Sequence, residues 1–269
     1  MPNKMISRFL LKHPISYEMA IVWNMIRKSP AKRSDSFFNI LNRMPDRGTA
    51  LDIGANRGQS ALTIGSLKPN FSIYSFEPNS ACALGLGTVQ ARLGARLTIL
   101  FEGLGEQEAL IPFFEPCLYG FPLSTEGSFN KDNLGDRAAK RMRDSFSLDR
   151  SEFDENYSVR ERLFRVSRLD SLGLKPDFIK IDTQGFEVEC IKGGRETIDA
   201  CSPVIVAEKN FLQLDDLLAL MSNLSYSPYH YKPQGNFLKP LAVEDSSQVG
   251  DIFWLRDCEA HKKLTSPHA

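Results

Sequence analysis

Three acidic residues in this chain each follow a short apolar run: Glu77 comes after Phe71 to Phe76, Asp182 after Phe178 to Ile181, and Glu208 after Val204 to Ala207. A carboxylate at the mouth of a buried strand can hold ribose hydroxyls, take a proton from a nucleophile, share a cation, or merely cap a neighbouring helix. Three such acids on one face of a sheet favour a site over three separate caps. Glu77 stands 23 residues after Gly54, the spacing from which an acid reaches ribose hydroxyls in nucleotide-binding α/β folds. Asp182 and Glu208 are expected to meet at the other end of the same cleft, where either could act as a general base. Lys209 is a further base if the pocket desolvates it. With Asn210 as a neutral oxygen ligand, the two acids could instead hold a divalent cation. Two or three oxygen ligands do not by themselves specify a metal, so direct carboxylate catalysis is favoured. Of the four histidines only His230 lies in the core region, and none sits in a recognised motif.

The loop that would receive a ligand is Leu51-Asp52-Ile53-Gly54-Ala55-Asn56-Arg57-Gly58-Gln59, an apolar run breaking into small residues before the apolar-periodic Ala61 to Leu67. This reads as strand, tight loop and helix. Gly54 and Gly58 remove the Cβ atoms that would keep a ligand off the loop, and the helix offers unpaired N–H groups. In a G-x-G-x-x-G fingerprint the second and third glycines would fall on Asn56 and Gln59, so the signature for a pyrophosphate is absent. That disfavours a nicotinamide-dependent oxidoreductase. A nucleoside without phosphates suits the loop better, and S-adenosylmethionine is such a ligand. Expected cofactor contacts are Asp52, Gly54, Asn56, Gly58 and Glu77, with Gly103 beside the adenine in a turn that could equally be plain surface.

Strands are expected at 49–53, 71–76, 96–101, 178–181, 203–208, 226–231 and 251–256, with helical stretches between the first three and between the fourth and fifth, and a short strand-like piece at 107–114. Such alternation means a parallel, doubly wound sheet, with ligands outside the carboxyl ends of its strands. The last two strands could close it as an antiparallel hairpin. Amphipathic helices, one bearing Met5, Ile6, Phe9 and Leu10 and another spanning Tyr17 to Ile26, are read as packing on the sheet. Between Cys117 and Arg165 the alternation is lost. From Lys131 to Arg165 nine basic side chains stand against eight acidic ones, which reads as a solvated, mobile cover over the substrate.

The 269 residues carry 33 basic and 33 acidic side chains, a balance that argues against nucleic acid as the main partner. No stretch spans a bilayer and no signal peptide is evident, so a cytoplasmic location is the default. Five scattered cysteines, none in C-x-x-C spacing, read as free thiols.

The segments Leu51 to Gly58, Phe76-Glu77-Pro78, Ser167 to Leu172 and Ile179 to Glu187, in this order and spacing, resemble the FkbM family of S-adenosylmethionine-dependent methyltransferases. K-I-D-x-x-G-x-E is the most specific element. The resemblance implies an α/β, class I methyltransferase (Rossmann-like) fold: a doubly wound, seven-stranded sheet, mostly parallel with a C-terminal antiparallel hairpin. It implies O-methylation of a hydroxyl on a sugar, glycan or natural product, cofactor contact by Gly54, Asn56 and Gly58, and ribose binding by Glu77. The expected organisation is an N-terminal helical extension over 1–46, the methyltransferase domain over 47–258 with the 117–165 insertion as cover, and a flexible tail over 259–269. A cofactor-binding partner that has lost catalysis is the alternative.

Overall fold

The computed structural model describes residues 36–123, 126–129, 131–208, 213–242 and 250–267, with 16, 19–20 and 22–24 from the N-terminal segment. The helix expected around Met5 to Leu10, and also Lys209 and Asn210, lie outside these residues. After a 3-10 segment at Ser36–Arg43, strand and helix alternate through β1 (Arg47–Ile53), α1 (Gln59–Leu67), β2 (Asn70–Phe76), α2 (Ala83–Leu93) and β3 (Leu97–Leu100). A detour follows, comprising β4 (Gly103–Leu104), β5 (Ala109–Leu118), β6 (Phe121–Pro122), α3 (Asp136–Phe146), α4 (Arg150–Asn156) and β7 (Tyr157–Ser167). Alternation resumes with β8 (Phe178–Ile181), α5 (Glu187–Gly193), α6 (Arg195–Cys201), β9 (Val204–Glu208) and α7 (Leu214–Asn223). The chain ends in β10 (Tyr226–Lys232), β11 (Phe237–Pro240), β12 (Asp251–Arg256) and α8 (Glu259–Lys262).

The main sheet has the order β11-β10-β12-β9-β8-β1-β2-β3. Strands β3, β2, β1, β8 and β9 are parallel, and β12 runs antiparallel to both β9 and β10. All seven strands expected from the sequence are present, and β11 joins as an eighth at the edge. Parallel strands covered on both faces must be apolar throughout, which is why they read as continuous runs. Along β1, Ala50 faces the layer of α1 with Leu62, Ile64 and Phe71, whereas Leu51 and Ile53 face Ile179, Ile181 and Val188 on the other side. The chain runs from β1 outward to β3 and returns on the opposite side of β1 as β8. A crevice therefore opens between β1 and β8 at their carboxyl ends, where ligands of such sheets bind.

The 117–165 stretch, expected as a solvated, mobile cover, contains regular structure and brings Gly127 and Phe129 to the cavity at the carboxyl ends of β1, β2 and β8. Strands β5 and β7 pair antiparallel from Ala109 opposite Val166 to Leu118 opposite Tyr157, within a second sheet of order β4-β7-β5-β6. Leu118, Phe121, Met142, Leu148 and Phe153 form their own apolar cluster beneath α3 and α4. These residues are scattered along a polar sequence and meet only once the two long strands pair.

The tail differs from expectation as well. Residues Glu259–Lys262 are helical, the His261 ring accepts the Arg256 N–H at 2.9 Å, and Leu264 is buried in the main core with its carbonyl bonded to the Leu238 N–H. One leucine in a polar tail carries too little periodicity to be seen beforehand. In the run Tyr17 to Ile26, Val22 joins the core but Trp23 is exposed. Among the described residues all five cysteines are free thiols, and no helix is long and apolar enough to cross a membrane.

Candidate active site

At the carboxyl ends of β1, β2 and β8 lies a cavity of about 270 Å³. Gly54 and Asn56 come from the loop after β1, Glu77 and Pro78 from the end of β2, Gly103 and Leu104 from β4. Asp182, Thr183 and Gln184 enter from the end of β8. Of the expected site residues, Gly54, Asn56, Glu77, Gly103 and Asp182 thus share one cavity. Asp52, Gly58 and Glu208 do not line it.

Glu77 is 8% exposed, with both oxygens aimed by backbone donors. Oε2 accepts the Asn56 N–H and Oε1 accepts the Asn79 N–H, each at 2.8 Å. Burial pushes its carboxyl up to about 7, against the pull of those two donors. Each oxygen keeps a further lone pair for a ligand hydroxyl. Asn56 makes its contact from a left-handed backbone conformation, φ 48°, tolerated by asparagine better than by most residues.

Gly54 is required by the fold itself. Its φ is 77°, and a Cβ there would overlap the carbonyl oxygen of Asp182, so β1 and β8 approach too closely for any side chain. Beneath this loop Asp52 is fully buried, in register with Ser75 on β2 and Lys180 on β8. Its Oδ2 accepts the Ala61 N–H at 3.1 Å, in the first turn of α1. Gly58, the residue at the N-cap of α1, has no side chain to cap with, so Asp52 supplies the capping oxygen from the strand. The Lys180 ammonium sits 3.7 Å from Asp52, 3.2 Å from Asp182 and 3.2 Å from the carbonyl oxygen of Gly54. Burial disfavours its charge, but Asp182 and Asp52 outweigh that and hold its pKa above the ordinary value. Asp52 itself is raised, because burial outweighs the attraction of Lys180.

Asp182 and Glu208 belong to one polar cluster. The Gln184 amide donates to Asp182 Oδ1 at 3.0 Å and to Glu208 Oε2 at 2.8 Å, from a left-handed backbone with φ 57°. Asp182 is held below the usual carboxylate range: burial would raise it, but Lys180 and hydrogen bonds from Glu208 and Gln184 lower it further. Glu208 is pushed up to about 8 by burial and by Asp182 next to it. The two shifts run in opposite directions, so within the pair Asp182 is the stronger acid and Glu208 the member that keeps its proton to higher pH. The turn is shaped by Glu187, 1% exposed, whose carboxylate accepts the N–H groups of Thr183 and Gly185 and the Thr183 hydroxyl at 3.0–3.1 Å.

The wall built by Phe113, Phe129 and Phe186 was not legible in the sequence. Phe129 packs on Phe113 and Phe186 with ring centroids 5.0 and 4.6 Å apart, and all three line the cavity. They come from β5, from the loop after β6 and from the turn before α5, and only the alternation of β5 hints that Phe113 faces inward. Lys180 carried a better signal, a lone cation inside the buried strand Phe178–Ile181. His230 lies on β10, two strands beyond β9, and does not line the cavity.

A family model described as the methyltransferase FkbM domain matches residues 52–228, most of the chain and every strand end that forms the cavity. The chain belongs to the FkbM methyltransferase family. Similar solved structures include methyltransferase FkbM from Methylobacillus flagellatus KT, at 19% identity and a TM-score of 0.48 over 78% of this chain and 44% of that one. This chain thus spans under half the length of the Methylobacillus protein. A precorrin-6y C5,15-methyltransferase from Geobacter metallireducens GS-15 follows at 14% identity, TM-score 0.42, covering 83% and 87% of the two chains. An S-adenosylmethionine-dependent O-methyltransferase from Thermotoga maritima gives 13% identity and 0.40 over 88% and 70%. No curated protein matches the sequence significantly.

The family implies S-adenosylmethionine, and the donor set fits it. A phosphate at this loop would take the N-terminus of α1, but Asp52 already has the Ala61 N–H there. Asp52 thus occupies one of the helix N-terminal donors that a phosphate would need. Gly54, Asn56, Glu77 and Gly103 would hold the cofactor. Among the described residues no cluster of three or more His, Cys, Asp or Glu side chains is placed to hold a metal ion.

Proposed function

We propose that this chain is an S-adenosylmethionine-dependent O-methyltransferase whose acceptor is a hydroxyl on a sugar, glycan or natural product. When bound, S-adenosylmethionine supplies a methyl group activated by a sulfonium. Acceptor chemistry then needs alignment and removal of one proton. The observation that carries this reading is Asp182, a carboxylate lining the same cavity as Glu77, with Lys180 and Gln184 fixing its two oxygens.

In this reading Glu77 accepts the ribose hydroxyls and Asp182 takes the acceptor proton. Glu208, protonated and tied to Asp182, keeps a second charge out of the cluster. The apolar wall of Phe113, Phe129 and Phe186 suits the C–H face of a saccharide ring or the ring system of a natural product. Lys209 and Asn210 follow directly after Glu208, and Lys209 is retained as a secondary base. The divalent-cation route is not favoured, because two or three oxygen ligands do not by themselves specify a cation and the family resemblance does not require one.

The test is single-turnover methylation across hydroxylated acceptors, read as a mass gain of one methyl group, with and without EDTA. Asp182→Asn should lower the rate by 10²–10⁴, the range typical of a general base. Glu208→Gln, which keeps a neutral hydrogen-bonding group, should lower it far less. Full activity in Asp182→Asn would remove that carboxylate from the mechanism. Loss with EDTA and rescue by magnesium would establish the metal route instead.

A further inference from the structure

Behind Glu77 lies a second buried carboxylate that the chemistry above does not use. Glu115 stands on β5, 1% exposed, on the same strand face as Phe113 two residues earlier. Its Oε1 accepts from Asn79 Nδ2 at 2.5 Å, and its Oε2 lies 4.0 Å from the half-exposed Arg162 guanidinium. Asn79 is itself 2% exposed, with every polar group committed. Its N–H goes to Glu77 Oε1 at 2.8 Å, its Oδ1 accepts the Ala81 N–H at 3.0 Å, and its carbonyl accepts the Cys82 N–H at 3.0 Å. Because Oδ1 must accept to cap the turn Ser80–Cys82, the amide NH₂ must donate, and in this buried place it needs an acceptor. Glu115 is that acceptor, reaching across from the second sheet.

We propose that Glu115 is a positioning residue for cofactor binding: by fixing the side chain of Asn79 it aims the Asn79 N–H that orients Glu77. This rests on the reading of Glu77 as the ribose carboxylate. The terminal torsion of a glutamate is soft, so a carboxylate keeps one orientation only while donors on both oxygens hold it. One donor, Asn56, comes from the β1 loop; the other, Asn79, is set by β5. The strand that carries Phe113 into the cavity is therefore also the strand that steadies Glu77, which ties the insertion's sheet to the cofactor end of the site.

Calorimetric titration of S-adenosylmethionine into the full chain tests this with four proteins: wild type, Glu115→Ala, Glu115→Gln and Glu77→Ala. Glu115→Ala should weaken binding roughly tenfold, the worth of about one hydrogen bond. Glu115→Gln should stay within about twofold of wild type, because its carbonyl still accepts from Asn79. Wild-type affinity in a folded Glu115→Ala, with binding lost in Glu77→Ala, would overturn the proposal and leave the reading of Glu77 standing. Wild-type affinity in Glu77→Ala would sink that reading and this one with it. Equal losses in Glu115→Ala and Glu115→Gln would assign the effect to the charge facing Arg162 and also overturn it. If Glu115→Ala fails to fold, Glu115→Asp withdraws the carboxylate from Asn79 while keeping the charge, and should show the same tenfold loss.

Discussion

At the scale of single residues, the glycine loop and the acids divide their work in a way that mutants can separate. Gly54→Val should fail as a folded protein: its backbone is left-handed and a Cβ would run into the Asp182 carbonyl. A cooperative thermal transition at the wild-type temperature would contradict this. Lys180→Met leaves Asp52 buried without its cation, and breaking a buried pair on one side costs about 3–5 kcal/mol, measurable by denaturant unfolding. A loss under about 1 kcal/mol would show that Asp52 tolerates losing its partner. Glu77, Asp182 and Gly54 were legible because each ends an apolar run at a fixed spacing. Asp52, expected as a cofactor contact within the same loop motif, lies inside β1, where it accepts the Ala61 N–H of α1 and does not line the cavity. Lys180 and Asn79 take their meaning from partners far along the chain, which no local pattern discloses.

Among the elements, the turn between β8 and α5 decides where Asp182 and Gln184 stand. Glu187 holds that turn with hydrogen bonds to Thr183 and Gly185, and its charge also sits at the N-terminus of α5. Charged hydrogen bonds are worth about 1.5–3 kcal/mol each, so Glu187→Ala should lower stability by about 3 kcal/mol, with Glu187→Gln losing less. An unchanged denaturation midpoint for Glu187→Ala would show the turn to be held by something else. The strands of the main sheet could be read from their runs, because parallel strands buried on both faces leave no polar alternation. The pairing of β5 with β7 could not. Its outer face leaves Leu110 and Leu163 exposed, which blurs the period-two pattern, and about forty residues with two helices intervene.

For the whole molecule, the clustered acids set how stability responds to pH. Glu77, at about 7, and Glu208, at about 8, both keep their protons in the folded protein above the pH at which the unfolded chain, with ordinary values near 4.5, has lost them. The folded state then binds more protons across that window, so these two groups make stability fall as pH rises from about 5 to 8. Asp182 acts with the opposite sign below its ordinary value of 3.8, and His261, which burial holds below its ordinary value of 6.5, does so up to about 6.5. The melting temperature without ligand should therefore decline from pH 6.5 to 8.5, and Glu208→Gln should flatten the upper part of that decline. A melting temperature that rises through this range would contradict the assignment.

What joins these scales is the claim that a cavity floored by Gly54 and Glu77, beside a helix already capped by Asp52, takes a nucleoside without phosphates. Calorimetric titration of S-adenosylmethionine and of NAD into the wild-type chain and into Glu77→Ala tests it most directly. S-adenosylmethionine should bind the wild type and NAD should not. In Glu77→Ala the affinity for S-adenosylmethionine should drop by about 1.5–3 kcal/mol for each charged hydrogen bond lost. Binding of NAD without S-adenosylmethionine would contradict the claim, as would an unchanged S-adenosylmethionine affinity in a folded Glu77→Ala.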